Sequence, residues 1–285
     1  MTDIRRYASP TAFRQAIEGR LKQWAKEEGG DLSRYRRQLA FDRLLARLFS
    51  TATPWVLKGG YAMELRSAAA RSTVDLDLSF REPWLLPQDE ISSTLLAMLR
   101  SAARQDLNDF FAFEIGEVLM DLEAAPYGGA RYPVTALMDG RTFARFHLDV
   151  GVGDIVFDPL EQIAGRDWLS FTGIAPQPVW MISKEQQFAE KLHAYSLPRQ
   201  GTNSRVKDLV DMVLLINSKE MRPDRIRGAI IATFERRKTH PIPSILDRPP
   251  DAWAKPYAAL ASECGLSEGL DEAIALVQNQ SSNWL

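Results

Sequence analysis

The 285-residue sequence contains one cysteine, Cys264, and only three histidines, His147, His193 and His240. A lone thiol excludes an intrachain disulfide framework and agrees with a reducing compartment. No histidine lies near it in sequence, so Cys264 reads as a structural thiol rather than a nucleophile. Histidines this far apart, without cysteine companions, argue against a structural zinc site and leave hard-metal chemistry through carboxylates. The apolar runs fall far short of a membrane span, and the start, Met-Thr-Asp-Ile-Arg-Arg, lacks the apolar core of a signal peptide. The expectation is a cytoplasmic protein with no membrane partner. An excess of one charge is also missing: 35 Lys and Arg against 37 Asp and Glu give a formal net charge of −2. Any nucleic acid must therefore be held by local basic patches. With 45% hydrophobic and 25% charged residues, the chain has globular composition and enough length for one large domain or two intimate ones. It shows no internal repeat.

The most informative stretch is 55–80. Its second half alternates apolar Val74, Leu76, Leu78 and Phe80 with polar Thr73, Asp75, Asp77 and Ser79, the period of a strand with one buried face. Asp75 and Asp77 then point the same way, roughly 6.5–7 Å apart at Cα, within reach of one or two divalent cations. Such a pair is also compatible with a solvated strand face. Carboxylates are depleted in strands, however, and two on one face repel, an effect that a cation removes. In the first half, Val56 and Leu57 end a short apolar strand, Gly59-Gly60 forms a tight turn, and 61–66 opens a helix. A glycine pair there lets backbone N–H groups approach a polyphosphate, and a helix N-terminus favours anions. Lys58 stands next to that turn.

Around this stretch the pattern predicts amphipathic helices over 11–26 and across Leu39 to Phe49, the first ended by Gly29-Gly30. Arg34, Arg36, Arg37, Arg43 and Arg47 read as a soluble helix face or as a nucleic-acid patch, with Tyr35 among them favouring contact with a base. Pro83 and Pro87 break the chain before a helix over 88–107. Strands follow over 110–118, 132–138 and 145–150, with turns at Tyr127-Gly128-Gly129 and Asp139-Gly140. The last strand places Arg145, His147 and Asp149 on its polar face, making Asp149 a candidate third carboxylate. Asp154 and Asp158 belong to the turn beyond it. Residues 158–178 read as a long connection, which divides the chain into a sheet-bearing half, 1–170, and a helical half, 171–285. Ser183 with Gln186 opens a helix carrying Lys191 and His193 away from its apolar stripe. Lys207 and Asp211, four apart on the next helix, are spaced for a surface pair worth about 0.3–0.5 kcal/mol. Helices over 226–234, 253–260 and 270–277 complete the chain.

The order of these signals, Lys58-Gly59-Gly60, Asp75-x-Asp77, Asp149, Lys191 and Lys207-Asp208-x-x-Asp211, resembles the nucleotidyltransferase AbiEii toxin family. These are the toxins of type IV abortive-infection and toxin–antitoxin systems, grouped with mycobacterial tRNA-modifying toxins. The likeness spans about 34–277, including Phe234-x-x-Arg237-x-Thr239-x-Pro241 and Trp253. It implies an α+β fold, a polymerase-beta-like nucleotidyltransferase core of mixed sheet and flanking helices with a helical C-terminal half. It further implies that Gly59, Gly60 and Lys58 hold the triphosphate, that Asp75, Asp77 and Asp149 bind Mg²⁺ in a two-metal site, and that Lys191 meets the phosphates. Asp208 or Asp211 would be the final acidic residue. The superfamily's Gly-Ser is Gly59-Gly60 here, so a serine hydroxyl is missing from the phosphate grip. The implied site lies in a cleft between the halves. The implied reaction is transfer of a nucleoside monophosphate from an NTP to RNA, above all the tRNA 3′ end, with a cognate antitoxin as partner. Arg34, Arg36, Arg37, Arg205, Lys207, Arg236 and Arg237 are the candidate RNA contacts. A protein or small-molecule hydroxyl as acceptor, a DxD glycosyltransferase, and a non-catalytic interaction protein remain as alternatives.

Overall fold

A computed structural model of the chain describes residues 7–50, 54–82, 90–122, 125–199, 201 and 203–285. The N-terminal hexapeptide, the break at Pro83 and Pro87, the first residues of the helix expected from 88, and two positions of the loop before Ser204 lie outside them. The chain divides into two compact units, neither continuous in sequence. One comprises 1–61, 72–153 and 162–181; the other comprises 62–71, 154–161 and 182–285. The fold is mixed α/β, with a mixed sheet and flanking helices. Among the described residues no helix is long and apolar enough to cross a membrane.

The first unit opens with helices α1 (Pro10–Glu28) and α2 (Leu32–Leu48). Each start is written locally: Ser9 accepts from the Ala12 amide ahead of Pro10, and Asp31 accepts from the Ser33 and Arg34 amides. Phe13, Ile17 and Leu21, at i, i+4 and i+8, form the buried stripe of α1. Gly29 stops the helix with φ 66°, a left-handed cap that a side chain would strain.

The sheet is built from β1 (Trp55–Lys58), β2 (Asp75–Phe80), β3 (Phe111–Ile115), β4 (Met120–Asp121), β5 (Gly129–Met138), β6 (Arg141–Val152), β7 (Glu161–Ala164) and β8 (Pro178–Met181). Its order is β3-β5-β6-β2-β1-β8-β7, with β4 paired to β5. β2 runs parallel to β6 and antiparallel to β1. The stretch 158–178, expected to be a connection, thus contributes β7 and the first residue of β8. With four residues each, Glu-Gln-Ile-Ala and Pro-Val-Trp-Met, they are too short to carry a clear polar–apolar alternation. Val74, expected on the buried face, is exposed and precedes the strand. The β5–β6 hairpin turns at Asp139-Gly140, both with positive φ (56° and 65°), as a two-residue turn of the hairpin-favoured hand requires. Leu137 pairs with Thr142 but Ala136 with Ala144, so Phe143 is an extra residue on β6 and shifts the register by one.

Helix α4 (Ile91–Ala103) packs Leu95, Leu96 and Leu99 inward, and the Tyr132 hydroxyl donates to the Ser92 carbonyl, tying α4 to β5. Arg43 and Arg47, read from sequence as part of an exposed basic face, turn into this unit instead. Arg43 Nε donates to Asp109 at 2.7 Å, and Arg47 donates to both Asp109 oxygens at 2.7 and 2.9 Å. Tyr35 is also buried, its hydroxyl donating to Glu28 at 2.7 Å, so it offers no ring to a base.

The second unit holds α5 (Lys184–Ser196), α6 (Val206–Asn217), α7 (Pro223–Arg237), α8 (Ala254–Glu263) and α9 (Leu270–Trp284). Ser183 caps α5 by accepting from the Gln186 amide at 3.2 Å, as its sequence pattern predicts. Phe188, Leu192, Leu209, Met212, Val213, Ile230, Phe234, Tyr257 and Val277 form its core. Cys264 is buried there, and burial pushes its thiol up to about 11, out of the nucleophilic range.

Asp109 yields a stability prediction. Burial alone would raise its pKa, but the Arg47 hydrogen bonds and the two guanidinium charges outweigh burial and hold the carboxyl below its ordinary value. A depressed acid contributes stability that is present above the unfolded pKa, about 3.9, and is lost as pH falls through the folded value. Asp109→Asn leaves buried guanidinium charge uncompensated and is expected to cost about 3–5 kcal/mol at neutral pH by urea denaturation, a difference that shrinks in acid.

Candidate active site

β1 runs directly into α3 (Gly59–Arg66), so the Gly59-Gly60 pair is the helix start itself and no separate turn intervenes. Gly59 has φ 68°, and a Cβ built there would collide with Oδ2 of Asp77. A Cβ on Gly60 would stand 2.6 Å from Oγ1 of Thr73. Both glycines therefore let the chain pass against the strand that carries the aspartates. For Gly59 the positive φ adds a second reason that no other residue fits.

The strand register gathers the acidic residues. Asp77 pairs with Lys58 on one side and with Asp149 on the other, and Asp149 pairs with Arg131. Directly paired residues share a sheet face, so Lys58, Asp77, Asp149 and Arg131 form one row across four strands, with charges in the order plus, minus, minus, plus. Asp75 lies on the same face one step along β2, paired with His147. All three strand carboxylates singled out from sequence thus share one patch. Two residues that the sequence did not single out share it as well. Arg131 grips Asp149 with both arms, Nε to Oδ1 and Nη2 to Oδ2, each at 2.7 Å, and its Nη2 lies 3.6 Å from Asp75. The Asp149 hydrogen bonds, followed by the charges of Asp149, Asp75 and Asp77, hold Arg131 still more firmly protonated than usual. His147 Nδ1 lies 3.1 Å from Asp75 Oδ1.

In the second unit, Lys191 and Asp211 are both buried. Lys191 Nζ donates to Asp211 at 2.6 Å and lies 3.5 Å from Asp208. Arg71, also absent from the sequence reading, closes on Asp211 through Nε at 3.1 Å and Nη2 at 2.8 Å. Asp211 therefore does not form the surface pair expected with Lys207. It points inward and takes two buried cations, while Lys207 on the outer side of α6 is exposed. The Asp208 side chain keeps 15% exposure against none for Asp211, and Arg205 approaches it at 3.7 Å. The two acids of one motif thus occupy different environments, one inside the unit and one at its surface.

The basic candidates are scattered in role. Arg36 is ion-paired to Glu18 at 2.6 Å and Arg37 donates to Ser72 at 3.4 Å; Arg34 beside them is half-buried. Arg205 is exposed and Arg236 half-buried. Arg237 turns inward to Asp154 at 3.0 Å, where Thr239 meets His193 and the Phe234 ring packs on both His193 and His240. The Phe234-x-x-Arg237-x-Thr239 pattern is therefore a packing motif of the helical unit, and Asp154 is its counter-charge.

The chemistry of the strand row fits a hard divalent cation: oxygen donors only, on adjoining strands, beside a glycine-lined helix start. The residues suited to hold it are Asp75, Asp77 and Asp149. In the present geometry no group of three metal-ligating side chains among the described residues is close enough to clasp an ion, and both Asp149 oxygens are engaged by Arg131. A cavity of about 690 Å³ between α4 and β4, lined by Ser92, Leu96, Arg100, Asp121 and Tyr127, contains none of these residues and is not the place of this chemistry.

Comparison with known proteins gives a consistent family. The nucleotidyl transferase AbiEii toxins of type IV toxin–antitoxin systems match over residues 43–277. Among solved structures, the chain is similar to MenT4, a nucleotidyltransferase toxin from Mycobacterium tuberculosis H37Rv, with 15% identity, TM-score 0.56, and 94% of this chain and 97% of that chain covered. A likeness to JHP933 from Helicobacter pylori, at 15% identity and TM-score 0.44 over 87% of this chain and 91% of that one, is too loose to carry an argument. No curated protein sequence matches the chain.

Two substitution pairs test the geometry. Asp211→Asn is expected to cost about 3–5 kcal/mol in urea denaturation, because Lys191 and Arg71 lose their shared buried counter-charge, whereas Asp208→Asn is expected to cost less than about 1 kcal/mol. Gly59→Ala, forced into a left-handed conformation against Asp77, is expected to cost about 1–3 kcal/mol. Gly173→Ala, at an open turn with φ 87° and no neighbouring atom within 4 Å of the new methyl, bears the backbone term alone and serves as its control.

Proposed function

This chain belongs to the AbiEii nucleotidyltransferase toxin family, and on that premise we propose that it transfers a nucleoside monophosphate from an NTP to an RNA hydroxyl, that of a tRNA 3′ end above all. The observation that carries the reading is the strand row: Asp77 and Asp149 paired in register, Asp75 on the same face, and the Gly59-Gly60 helix start pressed against Asp77. Asp75, Asp77 and Asp149 would hold a divalent cation, which would supply charge stabilisation at the α-phosphoryl group and acidify the attacking hydroxyl. The chain's own part is orientation. The α3 amides and Lys58 receive the anionic phosphates at a helix N-terminus, and the rigid sheet fixes the carboxylates before substrate arrives. In the helical unit, Lys191 is engaged by Asp211 inside the fold, which leaves the more exposed Asp208 as that unit's candidate acid. The acceptor is read as RNA from the family and from the exposed Arg205 and Lys207 together with the half-buried Arg34 and Arg236.

Incubation with each labelled NTP, Mg²⁺ and total tRNA is expected to label tRNA at its 3′ end. Asp77→Ala should reduce labelling by about 10²- to 10³-fold while leaving the melting temperature within a few degrees. Chelation of the metal should abolish it. Label in protein or in a small molecule, with none in RNA, would move the acceptor while keeping the chemistry. Undiminished transfer by Asp77→Ala would remove the strand row from the mechanism.

A further inference from the structure

The proposed reaction needs metal at Asp149, yet both Asp149 oxygens are already bonded, at 2.7 Å each, to a cation that belongs to the chain. Resting on the functional reading above, we propose that Arg131 is a built-in competitor of the metal. It holds the acidic row partly neutralised without metal and competes with a divalent ion for Asp149.

Three observations carry this. First, the grip is a bidentate fork on Asp149 with a third approach to Asp75 Oδ2 at 3.6 Å, so one guanidinium spans two of the three carboxylates. A magnesium ion requires oxygens at about 2.0–2.1 Å with octahedral geometry, and the guanidinium already takes one lone-pair site on each Asp149 oxygen. The two cations compete for one carboxylate and repel each other electrostatically. Second, the register makes the fork structural rather than incidental. Arg131 is the residue paired with Asp149 across β5 and β6, delivered there by the one-residue bulge at Phe143. Third, the Arg131 side chain keeps 28% exposure, so it has a route off the carboxylate into solvent without unfolding the strand. By contrast, the carboxylates that serve only the fold, Asp109 and Asp211, are fully buried and met by cations with 0–10% exposure.

Arg131 is thus a positioning residue with two assignments. It keeps Asp149 oriented on the polar sheet face before loading, and it sets the divalent concentration at which that face becomes a metal site.

Binding of Mn²⁺ to the full-length protein, followed calorimetrically with and without a non-hydrolysable NTP, tests the exchange without reference to turnover. Arg131→Gln and Arg131→Ala are both expected to bind Mn²⁺ roughly ten- to a hundredfold more tightly than the unmodified protein. The gain should vanish in Arg131→Gln/Asp149→Asn. Without metal, the single variants should melt below the unmodified protein, and saturating Mn²⁺ should raise their Tm by a larger increment than it raises that of the parent. Affinity that is unchanged or weaker in both single variants would overturn the competitor role while leaving the metal site intact. A gain that survives Asp149→Asn would also overturn it, since the effect would then be general charge and not a seat on Asp149. If no protein in the series binds Mn²⁺ under either condition, the metal reading of the row fails and the competitor falls with it.

Discussion

Three carboxylates on one face of a β-sheet set the constraint around which this molecule is arranged. At about 5 Å and an effective dielectric near 20, two such charges repel by about 3 kcal/mol, enough to cancel the net contribution of several backbone hydrogen bonds. The parallel pairing of β2 with β6 places Asp77 beside Asp149 and Asp75 beside His147, so the repulsion is built into the sheet register. The flanking strands answer it, with Lys58 paired to Asp77 on β1 and Arg131 gripping Asp149 from β5. With Asp75 one step along β2, three formal negative charges meet two positive ones on that face, which leaves it acidic by one.

The same logic operates elsewhere with the opposite result. Asp109 is met by Arg43 and Arg47, and Asp211 by Arg71 and Lys191, two cations for each buried carboxylate. Both carboxylates are shut away from solvent; the Asp109 centre carries a surplus of positive charge, while Asp208 beside Lys191 balances the one at Asp211. The strand row differs by being acid-rich and partly open. The contrast separates acids buried against cations from acids on a partly open face, and of the Asp208-x-x-Asp211 pair Asp211 belongs with the first.

Glycine supplies the remaining geometric condition. Helix α3 starts at Gly59, directly after the last residue of β1, and the Asp77 carboxylate occupies the place where a Cβ on Gly59 would be. The positive φ and the close approach of the Asp77 carboxylate are two requirements that glycine meets together at position 59. The same approach sets the start of α3 beside the acidic row.

Much of this was legible in the sequence. The alternation of 75–80, the cap at Ser183 and the Asp139-Gly140 turn are local signals with local causes, and the elements formed where they indicate. The family likeness carried by Lys58-Gly59-Gly60, Asp75-x-Asp77 and the Lys207-Asp208-x-x-Asp211 spacing pointed to the fold. What remained hidden was decided by register and burial. Counting back from the Asp139-Gly140 turn places Arg131 opposite Leu148, on the other face from Asp149; the extra residue at Phe143 shifts the pairing by one and brings the guanidinium onto the carboxylate. Arg71, 140 residues from Asp211, and Asp109, more than sixty from Arg43 and Arg47, meet their partners only through tertiary packing. Strand period, caps and turns depend on neighbours a few residues away and are written in the chain. Which cation answers which carboxylate depends on long-range register, where a single bulge reverses the face, and only the folded structure decided it.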